Sequence, residues 1–180
     1  FFFFLYIISI FMIVASLTLV LQVRHLVVSP LGYDYKHLVV LPASGDSIQT
    51  RTLLTELRKL PCVTGVTACQ GYPFDGGNNS TTNIDNRTLS FQVLQGDADY
   101  MRTLGIKLLR DYHLDDPEAA YVNKQTLAEL GLPMDARSFR VNNGVEHIRG
   151  VIDDIKIRTV TSDQHPLLIY ISKELKYPWN

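Results

Sequence analysis

The first 21 residues of this chain, Phe1–Leu21, contain no charged side chain, and only Ser9, Ser16 and Thr18 interrupt their apolar run. As a helix rising ~1.5 Å per residue, this stretch would be about 31 Å long, close to the ~30 Å hydrocarbon core of a bilayer. Lipid offers the backbone no hydrogen bonds, so a stretch placed there has to bond internally as a helix. The sequence therefore predicts a transmembrane helix over residues 1–22.

The apolar run fits a signal peptide, a pilin helix or a buried core helix less well. A secretory signal peptide would need a basic start, a shorter apolar core and a small-residue cleavage site, and none of these is present. A pilin-type export helix also begins with Phe, but pilins resemble one another in a Glu at the fifth position, which is Leu5 here. A buried core helix without any polar face over six turns would suit only a very large protein.

The remainder of the chain has the composition of a folded domain. The whole sequence has 17 basic and 18 acidic residues, and no basic stripe of the kind that binds nucleic acid. We expect Arg24 to mark the water boundary, residues 23–31 to form a stalk, and residues 32–180 to form one domain or two small lobes. Because the sequence does not begin with Met, we expect it to be an excerpt from a longer protein.

The first part of the domain has the pattern of a β-α-β unit. The apolar run His37–Leu41 and the segment Val63–Cys69 indicate strands. Between them Ser47 is a plausible N-cap of a helix that reaches Leu60, with its leucines on one face. The following segment, Gly71–Arg87, is rich in Gly, Asn, Ser and Thr and is predicted to be a long exposed loop.

Strands and short helices then alternate along the chain. Strands are predicted at 88–94, 106–109, 119–122, 140–142, 145–152 and 167–171, and helices at 97–104 and 124–130. Asn143-Gly144 is a strong hairpin signal, because both residues tolerate positive φ. Helices and strands interleave rather than segregate, so the predicted fold class is α+β with mixed strand pairing.

The sequence does not show the residue spacings that are typical of catalytic sites. The five histidines are scattered, and the adjacent pairs Asp115-Asp116 and Asp153-Asp154 point to opposite faces if they lie on a strand. Cys62 and Cys69 would be about 23 Å apart at the two ends of a strand, too far for a disulfide, so we expect buried free thiols. The sequence predicts no catalytic, cofactor-binding or metal-binding residues.

The order of several motifs resembles the extracytoplasmic core domain of FtsX-like, MacB-type permeases of ABC transporters. After the apolar helix comes Leu31-Gly32-Tyr33-Asp34, then Tyr100–Ile106, and then Val122–Gly131. The series closes with Gly150–Ile155 and with Pro166 before the last strand. Each motif is loose by itself, and the resemblance lies in their order and spacing over nearly the whole chain.

The resemblance implies a non-enzymatic, mechanical role. Such a permease lies in the bacterial inner membrane with a two-lobed α+β domain in the periplasm: a porter-like β-α-β lobe with a second lobe inserted in it. It implies as partners a cytoplasmic ATP-binding subunit, a second permease protomer, the lipid bilayer, and a periplasmic adaptor or substrate. The competing interpretation is a membrane-anchored sensor ectodomain, and the sequence that follows residue 180 would separate the two.

Two sets of residues are candidates for function. Pro30, Leu31 and Gly32 would form the joint through which movement of the helix reaches the domain. Tyr72 and Phe74, at the start of the Gly71–Arg87 segment, are candidates for contact with a partner. The alternative for that segment is a disordered connection between the two lobes.

Overall fold

The computed structural model describes residues 2–42, 47–84, 87–141, 144–157 and 165–172. The chain divides into two compact units, Phe1–Leu31 and Gly32–Asn180. The first unit contains helix α1, Phe2–Val28, which is 27 residues long. By length and composition its segment Phe2–Leu26 could cross a membrane, and none of the most apolar stretch is buried.

The second unit contains the other helices and all the strands that the described residues form. Its helices are α2 (Ser47–Leu57), α3 (Tyr100–Thr103) and α4 (Lys124–Glu129). Its strands are β1 (Cys69–Gln70), β2 (Asn78–Ile84), β3 (Arg87–Gly96), β4 (Leu108–Asp111), β5 (Ala120–Asn123), β6 (Ser138–Val141), β7 (Gly144–Ile152) and β8 (Leu167–Ile171). The predicted α+β class is confirmed.

One mixed sheet organises the second unit. Its strand order is β1-β3-β8-β5-β7-β4; in addition β2 pairs with β3 and β6 pairs with β7. The β3–β8 and β5–β7 pairs are parallel, whereas the other pairs are antiparallel. The last described strand, β8, thus lies between β3 and β5 in the middle of the sheet.

Apolar side chains cover both faces of this sheet. Alternation along β3 places Phe91 on one face, where its ring stacks on Phe139 with the centroids 6.2 Å apart. The buried cluster on that side consists of Phe91, Ala120, Val122, Leu127, Phe139, Ile148, Val151 and Leu168. Leu94 and Ile169, which pair across β3 and β8, are fully buried on the opposite face.

A buried polar centre joins α4 to β8. The Asn123 side chain is fully buried, and its Oδ1 accepts hydrogen bonds from Thr126 N, Thr126 Oγ1 and Leu167 N at 3.0, 2.7 and 3.1 Å. Its Nδ2 donates to the carbonyl oxygen of His165 at 3.0 Å. Asn123 is therefore both the predicted N-cap of α4 and the residue that fixes the start of β8.

The predicted β-α-β unit over residues 37–69 does not form as paired strands. Helix α2 is confirmed, although it ends at Leu57. Residues 38–42 belong to no strand, and the exposed fractions of Val39, Val40 and Leu41 are 81%, 54% and 54%. An extended segment becomes a strand only beside a hydrogen-bonded neighbour, and the described residues provide none for 38–42. Of the second segment, Val63–Cys69, only the last residue pairs: Cys69 lies opposite Gly96 of β3, as the first residue of β1.

The prediction of a long loop over Gly71–Arg87 is also wrong for the second half of that segment. Its second half, Asn78–Ile84, is strand β2, paired in continuous register with residues 87–93 of β3. Asn and Ser disfavour strands, but here the pairing partner overrides the composition. Further boundaries differ: the helix predicted at 97–104 is α3, Tyr100–Thr103, and the strand predicted at 106–109 is β4, Leu108–Asp111. The strands predicted at 119–122 and 140–142 are β5, Ala120–Asn123, and β6, Ser138–Val141.

Other predictions are confirmed by the structure. The strand at 167–171 is β8, and the strand at 88–94 lies within β3. The hairpin over 140–152 is formed by β6 and β7, which pair from Ser138↔His147 to Val141↔Gly144. Asn142 and Asn143, at the predicted turn, lie outside the described residues.

Candidate functional site

A loop at residues 71–77, which we call the glycine-necked loop, carries the two candidate contact residues. Its ends meet at Gly71 and Gly77, whose φ angles are +84° and +59°. A Cβ on Gly71 would lie 2.6 Å from Gly77 Cα, and a Cβ on Gly77 would lie 2.6 Å from a methyl group of Leu94. Only glycine allows this backbone conformation and this close approach at the neck.

Inside the loop the backbone forms a tight turn. The Tyr72 carbonyl oxygen accepts hydrogen bonds from the backbone N–H groups of Asp75 and Gly76, both at 3.0 Å. The hydroxyl of the fully buried Tyr100 donates to the Gly71 carbonyl oxygen at 3.1 Å. Tyr72 is half-buried, whereas 55% of Phe74 is exposed. The loop is thus held in place by its own residues and presents one aromatic ring to solvent.

The predicted joint lies where the two compact units meet in sequence. Pro30 and Leu31 follow α1 in the first unit, and Gly32 begins the second. Gly32 has a φ of +83°, and a Cβ there would be 2.3 Å from the carbonyl oxygen of Asp154. The Asp34 backbone N–H donates to the Leu104 carbonyl oxygen at 2.8 Å. The first residues of the second unit are therefore fixed against its interior.

Tyr33 connects these two candidate regions and was missed as a functional residue by sequence reasoning. Its side chain is 9% exposed, and its ring packs edge-on against Phe74 with the centroids 5.8 Å apart and an interplanar angle of 88°. Burial, followed by the neighbouring Tyr35, raises the pKa of the Tyr33 hydroxyl. The signal available in the sequence was the Leu31–Asp34 motif, in which Tyr33 follows a glycine.

The acidic pairs have structural contacts. Asp153 Oδ1 accepts from Lys124 Nζ at 2.6 Å, and Asp154 Oδ1 accepts from the Gln125 backbone N–H at 3.1 Å, so this pair holds the first turn of α4. Asp116 Oδ1 accepts from the Glu118 backbone N–H at 2.9 Å in a turn. Within the part of the chain that the structure describes, no three His, Cys, Asp or Glu side chains come together as a metal site would require.

Comparison with known proteins gives matches among solved structures. No protein-family model matches the chain, and no curated protein matches it. A domain assigned to a permease protein from Porphyromonas gingivalis is 17% identical over 57% of this chain and 48% of that one, with a TM-score of 0.39. The periplasmic region of MacB from Actinobacillus actinomycetemcomitans is 13% identical over 68% of this chain and 55% of that one, with a TM-score of 0.43. The chain spans about half the length of each.

The two cysteines are free thiols in different surroundings. The expectation that both are buried is wrong for Cys62, which is exposed, whereas Cys69 is half-buried in β1. Burial, and then the nearby Asp97 carboxylate, raises the pKa of Cys69 to about 11. At pH 8 the fraction of Cys69 side chains present as thiolate is therefore on the order of 10⁻³.

We expect a maleimide to label Cys62 much faster than Cys69 at pH 7–8. In the variant Cys62→Ser the remaining labelling should be slow and should rise roughly tenfold per pH unit, because only the thiolate reacts. The measurement is a mass-spectrometric time course of the folded chain, with Cys69→Ser as the matched variant. Equal rates for the two single-cysteine variants would contradict the environments described for these thiols.

Proposed function

We propose that this chain is the non-catalytic permease part of an ABC transporter of the FtsX-like, MacB-type family. In this proposal α1 crosses the bacterial inner membrane, and the second unit lies in the periplasm. Movement driven by a cytoplasmic ATP-binding subunit would reach a periplasmic adaptor or a substrate through this domain. The observation that carries the proposal is an unburied apolar helix leading directly into a folded α+β unit that contains the family's motifs in order.

The exposure of the apolar side chains of α1 supports the proposal that this helix crosses a membrane. Large side chains all around the helix are exposed, among them Phe3 at 78%, Phe11 at 69% and Val20 at 62%. Placing so much apolar surface in water is unfavourable by about 25 cal/mol per Å². A helix that is apolar on every side, with none of its most apolar stretch buried, has lipid as its natural environment. The buried-core alternative is therefore not supported within this chain.

An arginine at the centre of α1 is expected to weaken membrane integration. Val14 lies near the middle of Phe2–Leu26, where a charged residue costs about 2.5–3.5 kcal/mol on insertion scales. The variant Val14→Arg should move a large share of the protein into the carbonate-extractable fraction. The matched variant Val28→Arg places the same charge at the end of α1, from which it can reach the interface, and should remain integrated. Equal extraction of the two variants would contradict a membrane span.

The native Cys62 offers a test of orientation without any added residue. In intact cells of a bacterial host, a membrane-impermeant maleimide should label Cys62 if the second unit faces the periplasm. The expected result is labelling in intact cells, and no labelling in the variant Cys62→Ser over the same time. Labelling that appears only after cell lysis would place the second unit in the cytoplasm and would overturn the proposed localisation.

Coupling through the joint and contact through the loop are the mechanical part of the proposal. A rigid helical insertion between Pro30 and Leu31 is expected to uncouple ATP hydrolysis from transport in the assembled transporter. Coupling that remains intact in that variant would rule out residues 30–32 as the joint.

For the loop, the substitution Phe74→Ser is a better test than a deletion of residues 75–86, because that deletion would also remove β2.

The partners give the most direct test of the family assignment. Purification of the complete natural protein in mild detergent is expected to bring with it a cytoplasmic ATP-binding subunit and a second permease protomer. A signalling domain in the complete natural protein, with no ATP-binding subunit bound, would instead favour the sensor ectodomain. This test does not depend on the identity of the transported substrate.

A further inference from the structure

The place where the chain enters the second unit is fixed from several sides. The Gly32 backbone lies against the Asp154 carbonyl and Ile155 Cα, where an added Cβ would be 2.3 and 2.9 Å away. Two residues later, the Asp34 N–H is bonded to the Leu104 carbonyl oxygen at 2.8 Å. Between these two attachments Tyr33 projects its buried ring onto Phe74. A displacement at Gly32 therefore has a direct atomic route to the glycine-necked loop.

We propose that Tyr33 is a positioning residue that couples the place where the chain enters the domain to the glycine-necked loop. The inference rests on the proposed function in one respect, since that function supplies the movement that Tyr33 would pass on. It goes further in naming the residue through which the joint and the candidate contact loop communicate. Neither a partner nor a substrate needs to be known for the coupling to exist.

The construction of the loop explains why one ring contact is enough to position it. Gly71 and Gly77 close the neck against Leu94 of β3, so the backbone at the base of the loop has little room to move. The tip, from Tyr72 to Gly76, is held by hydrogen bonds to the Tyr72 carbonyl oxygen. The ring of Phe74, in that tip, contacts the ring of Tyr33, which lies outside the loop. Edge-to-face aromatic contacts depend strongly on ring orientation, so Phe74 should respond to small displacements of Tyr33.

The test uses two disturbances of different strength near the place where the chain enters the domain, at Gly32 and at Gly105, and a reporter at Phe74. The full chain in detergent micelles carries 4-fluorophenylalanine at position 74, and its fluorine NMR resonance is recorded. Gly32→Ala is the strong disturbance, because its Cβ meets backbone at 2.3 Å. Gly105→Ala is the mild one, because its Cβ would lie 3.2 Å from the Asp34 side chain. Gly131→Ala, also at positive φ but with open space around it, is the matched control.

With Tyr33 present, Gly32→Ala is expected to shift the resonance by more than its linewidth, Gly105→Ala by less, and Gly131→Ala not at all. In the background Tyr33→Leu both shifts should be lost, and in Tyr33→Phe, which keeps the ring, both should be retained. Gly105→Ala serves as the disturbance if Gly32→Ala does not fold. Tyr33→Met, which also lacks the ring, replaces Tyr33→Leu if Tyr33→Leu does not fold.

Two results would overturn the inference. Shifts of full size in Tyr33→Leu would mean that the disturbance reaches Phe74 by another route. No shift from either glycine variant, or loss of the shift in Tyr33→Phe, would mean that the ring contact does not carry the coupling. The measurement involves no ATP-binding subunit, so it can fail while the proposed function stands. It can also succeed in a chain that proves to be a sensor.

Discussion

Replacing Asn123 with alanine is expected to lower the free energy of unfolding by about 3 kcal/mol or more. The side chain is fully buried and makes four hydrogen bonds, to Thr126 N, Thr126 Oγ1, Leu167 N and the His165 carbonyl oxygen. Truncation leaves the N–H of the fully buried Thr126 without this partner, and an unsatisfied buried group costs about 1–3 kcal/mol. It also removes the N-cap of α4.

The measurement is pulse proteolysis of the full chain in mild detergent across a urea series, which reports the population unfolded. Thr126→Ser is the control, because it keeps the hydroxyl that bonds to Asn123 and should cost less than about 1 kcal/mol. A loss for Asn123→Ala no greater than for Thr126→Ser would contradict the role assigned to this buried centre.

Gly96→Ala is expected to destabilise the domain by about 3 kcal/mol through overpacking. A Cβ at this position would lie 2.2–2.6 Å from three atoms of Tyr100, whose side chain is fully buried. Tyr100 cannot move aside without losing the hydrogen bond that its hydroxyl donates to Gly71. The same change would therefore disturb the neck of the loop as well as the end of β3.

Gly144→Ala is the matched control for this experiment. Gly144 also lies in a strand, β7, but an added Cβ there meets no atom of the described residues within 4 Å. The same urea series should place its midpoint close to that of the unmodified chain, with the midpoint of Gly96→Ala well below both. Equal midpoints for the two glycine variants would show that the region around Tyr100 yields more easily than its packing suggests.

Sequence reasoning succeeded where a single local pattern determines an element. Leu167–Ile171 is uniformly apolar between breakers and is strand β8, while Asn123 before a short helical run is the N-cap of α4. It failed where the decision depends on which segment lies alongside rather than on the segment's own residues. Residues 78–84 have poor strand propensity but pair with β3, and residues 38–42 have good strand propensity but lack a described neighbour. The Tyr33–Phe74 contact was invisible for the same reason, since the two residues are far apart in sequence.

The central place of β8 has a consequence for how the domain is made. Among the described strands, β8 alone is hydrogen-bonded both to β3 and to β5, so it joins the two halves of the sheet. Residues near 167 leave the ribosome last of all the described strand residues, when α1 has long since been synthesised. Closing a contact between Gln92 and Leu167 is slow compared with forming local structure. The two halves of the sheet are therefore expected to stay unjoined until β8 has been synthesised, with the edges of β3 and β5 that pair with β8 still free until then.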